Sequence, residues 1–213
     1  MKITVYCLKG SAGKTPIAVN IALDKGFAIG TNEPYNLLDS FIPEERLISV
    51  EPHEAFPVFP PHIDIVFDLA GMITRDASAS IVSAVKQSDV VLVPIYNELK
   101  CINAGVNTIR ELQRYTDKIV VVATKLQKQK HDVFTDWREC EDFKNIARVV
   151  WSTTNTEIPV FPLKFSKVFD TIFEREQSIA QLMESDVLAK YAYRDVNAQF
   201  ETLFTFLRGN YAR

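Results

Sequence analysis

Residues 9 to 15 read Lys-Gly-Ser-Ala-Gly-Lys-Thr, and the flanks of this run constrain the fold more than any other feature. Ahead of it, residues 2 to 8 (KITVYCL) form a short β-rich stretch. Behind it, Ile17 and Ile21 with Ala18 and Ala22 repeat at helical spacing until Gly26. A strand that meets a glycine cluster and leaves it as a helix turns its backbone N–H groups toward one concave point, with the positive end of the helix dipole behind them. That arrangement suits an anion, and a phosphate group above all. The competing reading is a glycine-rich turn with two surface lysines.

The alternation continues along the chain. Strand-like runs are read at Phe27 to Ile29, in IDIVFDLAG (63 to 71), VVLVPIY (90 to 96), IVVVAT (119 to 124), RVVW (148 to 151) and IPVFP (158 to 162). Helical stretches fall at about 75 to 88, 103 to 115 and 132 to 147, and most of 166 to 207 is read as helix. Four of the ten prolines (Pro52, Pro57, Pro60, Pro61) mark an irregular connection between Glu51 and His62. Near-continuous apolar strands alternating with helices predict an α/β fold, a largely parallel twisted sheet with helices on both faces. No linker, repeat or charge block divides residues 1–213, so a single domain is expected.

The 213 residues are 47% apolar and 24% charged, enough for a sizeable core. No run approaches the roughly 18 apolar residues of a membrane span, and the N-terminal residues do not read as a signal peptide. The net charge of −3 gives no bulk affinity for nucleic acid or membrane. Cys7, Cys101 and Cys140 are odd in number and far apart, matching neither a disulfide framework nor a metal site. His53, His62 and His131 have no metal-like spacing either. A cytoplasmic protein is expected.

In a phosphate-binding loop the residues take distinct tasks. Gly10 and Gly13 give backbone freedom and close approach. Lys14 would reach the β- and γ-phosphates and the Thr15 hydroxyl would bind Mg²⁺. Pro16 falls in the first helical turn, where its missing N–H costs little. The full G-x-x-x-x-G-K-[ST] pattern is not met, because residue 8 is leucine. A lysine precedes the first glycine instead.

That K-G-x-x-G-K-T run is a deviant Walker A motif, and with it the chain resembles the ParA/MinD group of P-loop ATPases. Asp68-Leu69-Ala70-Gly71 closes its strand as a Walker B segment does in that group. Residues 90 to 112 and 161 to 182 are similar to the group's later blocks. The resemblance implies ATP or ADP with Mg²⁺ as ligands, held by Gly10, Ser11, Ala12, Gly13, Lys14, Thr15 and Pro16. It implies that Lys9 reaches the partner's nucleotide in an ATP-dependent homodimer, and that Asp68 holds Mg²⁺ through water. It also places Thr124, Lys125, and Pro162 with the residues after it, around the base.

Two positions depart from the group. Its D-x-D-P run is replaced by Gly30-Thr31-Asn32-Glu33-Pro34, so Glu33 takes the place of the aspartate that orients the attacking water. Its longer side chain moves the carboxylate by more than about 1 Å, a displacement that costs on the order of 100-fold in rate. Ser11 replaces a glycine, and if that position needs positive φ the serine stores about 1 kcal/mol or more of strain. Slow hydrolysis is the expectation.

The resemblance further implies a role in plasmid partition, stability or mobilisation, with a plasmid-encoded DNA-binding protein as stimulating partner. Non-specific DNA or the nucleoid would be met through Lys125, Lys128, Lys130, Lys164 and Lys167. No helix-turn-helix is expected ahead of the loop. Phe200, Leu203, Phe204 and Leu207 make one stripe near the C-terminus; a helix packed on the sheet is preferred to a MinD-like membrane tail, because the stripe carries Glu201 and little positive charge. The alternatives are a nucleotide-bound adaptor that does not turn over and, behind it, a MinD-like membrane-associated positioning ATPase or a dethiobiotin-synthetase-like enzyme.

Overall fold

The protein is described from a computed structural model covering residues 1–33, 37–71, 78–154 and 156–212. Among the described residues seven strands form one sheet: β1 (Lys2–Val5), β2 (Ala28–Thr31), β3 (Leu47–Ser49), β4 (Ile65–Asp68), β5 (Val90–Ile95), β6 (Ile119–Leu126) and β7 (Val160–Lys164). Their order is β3-β2-β4-β1-β5-β6-β7, and every pairing is parallel. The described helices are α1 (Lys14–Lys25), α2 (Ser78–Gln87), α3 (Leu99–Leu112), α4 (Glu141–Thr154), α5 (Val168–Arg175), α6 (Ile179–Ser185) and α7 (Val187–Tyr211).

Alternate residues of the central strands feed two cores, as a sheet covered on both faces requires. Ile3, Val5, Val66, Leu92 and Val120 pack with α1, α5, α6 and α7, while Phe67, Val91, Val93 and Val121 pack with α2, α3 and α4. The chain leaves β1 toward one side of the sheet, returns to β1's flank as β4 and crosses to its other flank as β5. β1 therefore ends at a topological switch point, where open α/β sheets bind ligands beyond their strand ends.

Three expectations need correction. Residues 148 to 151 are not a strand; they lie within α4, where Phe143, Ile146 and Val150 are buried at helical spacing. Three β-branched or aromatic residues outweighed that period in the sequence reading. The strand at Leu47–Ser49 had no anticipated counterpart: it is a three-residue edge, only half-buried, and carries little apolar signal. The stretch 132 to 140 has a short 3-10 turn at Trp137–Glu139 instead of α-helix. The expected start of α2 near Arg75 lies outside the described residues, as does Pro34.

The C-terminal helical region is broken twice. Glu176 ends α5 in the left-handed conformation (φ 56°). Ser178 and Gln181 then form a capping box for α6, and Asp186 caps α7. α7's stripe of Phe200, Leu203, Phe204 and Leu207 is buried in the core, so it is a packing face and is not presented to a membrane. Among the described residues no helix is long and apolar enough to cross a membrane. All three cysteines are free and buried.

Candidate nucleotide-binding site

The loop from Leu8 to Gly13 joins the C-terminal end of β1 to the N-terminus of α1. Gly13 is the N-cap of α1 and sits in the left-handed region (φ 98°, ψ 23°), where a side chain would be strained. Ser11 is also left-handed, at φ 58°. Sequence position had raised that possibility, and the loop requires it. Ser11→Gly should therefore relieve about 1–2 kcal/mol of strain and lose part of it to unfolded-chain entropy, for a net gain of a few tenths to about 1 kcal/mol. Urea unfolding of the two proteins would read that difference.

The loop is braced from two sides. Thr124, buried at the end of β6, donates its hydroxyl to the Ala12 carbonyl at 3.0 Å. Gly71 packs where a Cβ would stand 2.8 Å from the Leu8 carbonyl oxygen and 2.9 Å from that of Cys7, so only glycine fits without moving the loop. Lys14 is buried, and its Nζ donates to the Lys9 carbonyl at 3.3 Å.

Asp68 ends β4 beside the loop with 1% exposure. Its Oδ1 is buried without a hydrogen-bond partner. Burial pushes its pKa up to about 7, and the Glu33 charge adds to that rise; a hydrogen bond from Thr15 and the Lys14 charge pull the other way. An orphaned carboxylate oxygen next to a hydroxyl is a pair of hard oxygen donors, which fits a Mg²⁺ ion that keeps most of its water. Among the described residues no group of three or more His, Cys, Asp or Glu gathers as a metal cage.

Asn32 fastens the floor of this region. Its Oδ1 accepts from the Ala70 N–H at 2.7 Å and its Nδ2 donates to the Ser80 hydroxyl at 2.8 Å, tying β2, β4 and α2 together. Thr31 is buried and accepts from the Glu33 N–H at 3.2 Å, which turns Glu33 toward the cleft.

A cleft of about 460 Å³ opens in front of the loop. Gly10, Ser11, Gly13, Lys14, Thr15, Pro16, Glu33, Thr124 and Lys125 line it, so it gathers most of the residues singled out from the sequence. Ala12 is buried behind the loop, and neither Lys9 nor Asp68 lines the cleft itself. Pro162 lines a different groove, beside Trp137 and Lys128. The cleft's far wall is Leu163, Phe165, Ser166, Phe169 and Asp170, residues of the segment after Pro162.

Lys125 enters the cleft through a β-bulge. Ala123 pairs with Pro162 and Leu126 with Lys164, so β6 carries one residue more than β7 over this interval. Lys125 takes up the excess in the left-handed region (φ 57°), and its Nζ lies 4.3 Å from the Tyr96 ring centroid.

No protein-family model matches the sequence, and neither does any curated protein sequence. Solved structures do match. McdA of Cyanothece, in its apo form, aligns over 94% of this chain and 96% of its own with a TM-score of 0.63 at 13% identity. The fold is that of the ParA/MinD ATPases. MinD of Aquifex aeolicus aligns over 95% of this chain and 96% of its own (TM-score 0.58, 15% identity). A ParA family ATPase from Chlorobium tepidum aligns over 89% and 94% (TM-score 0.52, 12% identity). The ParA/MinD fold thus spans nearly the whole chain, and the similarity is one of backbone rather than of residues.

Proposed function

We propose that this chain is a Mg²⁺-dependent, ATP-binding and slowly hydrolysing switch of the ParA type, which dimerises with ATP and serves plasmid partition, stability or mobilisation. The observation that carries the reading is the juxtaposition at the end of β1: left-handed Gly13 capping α1, buried Lys14, and Asp68 with an orphaned oxygen beside Thr15.

The loop N–H groups and Lys14 would hold the phosphates, while Leu163, Phe165 and Phe169 would take the apolar base. Thr15, and Asp68 through water, would hold Mg²⁺, which when bound supplies charge neutralisation on the phosphate oxygens. Glu33, at the cleft wall, would accept a hydrogen bond from the attacking water. Lys9, half-buried at the start of the loop, would reach toward a second copy.

Lys9→Ala should leave ATP binding by the monomer within about threefold while weakening dimerisation and turnover by about tenfold or more. Calorimetry and sedimentation on the same sample measure both. Equal loss of binding in Lys9→Ala and Lys14→Ala would contradict the role across the dimer.

The stimulating partner is proposed to be a plasmid-encoded DNA-binding protein. Direct contact with non-specific DNA has weaker support. Lys125 lies over Tyr96, Lys128 against Phe134 and Trp137, and Lys164 between Trp137 and Asp195, while Lys130 and Lys167 are exposed. The strained Ser11 and the substitution of Glu33 favour a second reading, an adaptor that holds its nucleotide without turnover. Single-turnover hydrolysis separates the two.

A further inference from the structure

A second groove, of about 530 Å³, lies on the flank of the sheet between the connection that follows β6, the edge strand β7 and the middle of α7. Its floor is aromatic and apolar. Trp137, which lines it, meets Phe134 edge-on at 5.5 Å, and Phe161 and Pro162 of β7 continue the surface. Four cations surround that floor. Lys128 Nζ lies 4.6 Å from the Phe134 ring centroid and 5.8 Å from that of Trp137, and it donates to the Phe134 carbonyl. Lys164 Nζ lies 5.7 Å from the Trp137 centroid. Arg138 and Arg194 stand on opposite rims, contributed by the connection after β6 and by α7.

Two carboxylates alternate with these cations. Asp136 is 3.6 Å from Arg138, and Asp195 is 3.6 Å from Arg194 and 3.7 Å from Lys164. The arginine and aspartate side chains of these pairs are each half or more exposed, so water screens the pairs and leaves them open to exchange for another partner. Gln199 accepts from the Lys164 N–H at 3.0 Å through Oε1, which fastens α7 to β7 along the groove wall.

We propose that this groove docks an extended, acidic segment of a partner protein. The sign pattern selects that class of ligand. A nucleic-acid backbone carries charge every ~1.7 Å along a duplex axis, and would press phosphates against Asp136 and Asp195 wherever it met the lysines. An extended peptide places same-face side chains about 6–7 Å apart. Its carboxylates can pair with Arg138, Arg194 and Lys128 while its backbone N–H groups donate to Asp136 and Asp195. The stems of the acidic side chains cover Trp137. The groove is separate from the nucleotide cleft, and the inference does not depend on nucleotide chemistry.

Trp137 reports occupancy directly. The chain has two tryptophans, and Trp151 is 66% exposed on α4, so Trp151→Phe leaves Trp137 as the sole emitter. That protein is titrated with a short peptide of alternating glutamate and glycine, with the lysine–glycine counterpart, and with a short DNA duplex. The expected result is a saturable change in Trp137 emission with the acidic peptide alone, weakened about tenfold by Arg138→Ala with Arg194→Ala. Both arginines are exposed, and a matching thermal melt verifies folding of the double variant. No response to the acidic peptide, a response that survives loss of both arginines, or a stronger response to DNA than to peptide would each overturn the proposal.

Discussion

Lys14→Ala is expected to weaken ATP binding by about 100-fold or more. A charge-assisted hydrogen bond contributes about 1.5–3 kcal/mol, and a lysine on a polyphosphate makes more than one. The side chain is buried at the mouth of α1 and already donates to the Lys9 carbonyl, so its ammonium stands at the loop. Losing it also removes a favourable charge from the neighbourhood of Asp68. The fold itself should survive, because the freed Lys9 carbonyl belongs to a half-buried residue that water can reach. Calorimetry with ATP and Mg²⁺ gives the affinity and a thermal melt gives the stability. An affinity within about threefold of the parent would mean that the phosphates are held elsewhere.

Asp68→Asn should separate function from stability. Turnover is expected to fall by about 100- to 1,000-fold, the usual cost of removing a group that organises charge at a phosphoryl centre. The folded state should be as stable as the parent or more so. A buried carboxylate oxygen without a partner costs about 1–3 kcal/mol or more, and an amide of the same shape carries no charge to desolvate. Single-turnover hydrolysis and urea unfolding are read on one preparation. A destabilised variant with intact turnover would make Asp68 a structural residue and remove it from the metal site.

Much of the fold was legible because the strands are buried on both faces. VVLVPI and IVVVAT have no polar alternation, and such runs suit a parallel sheet. The exceptions have physical reasons. Arg148–Trp151 looks like a strand by residue type, yet its burial follows the helical period set by Phe143, Ile146 and Val150. Leu47–Ser49 is a strand only because β2 offers it an edge, and three residues carry no period of their own.

The phosphate-facing half of the cleft was legible for a different reason. A loop that turns N–H groups inward needs particular residues at fixed offsets, and Gly13, Lys14 and Thr15 occupy them. The other half depends on tertiary packing. Phe165 and Phe169 face Lys14 and Thr15 across the cleft only because β7 lies beside β6, and Lys125 reaches it only through a one-residue bulge. Pro162 and Leu163 are adjacent in sequence, yet Pro162 lines the second groove and Leu163 the cleft. Gly71 shows its role only once Leu8 and Cys7 are placed against it.

The account rests on a nucleotide that changes the assembly of the chain, and molar mass in solution tests it most directly. Light scattering would be recorded with Mg²⁺ and, in turn, ADP, ATP and a non-hydrolysable ATP analogue. The expected result is a monomer with ADP and a dimer with the analogue, at a mass twice the chain's 24.2 kDa. A monomer in all three states, with nucleotide bound, would contradict the switch and leave the adaptor reading in its place.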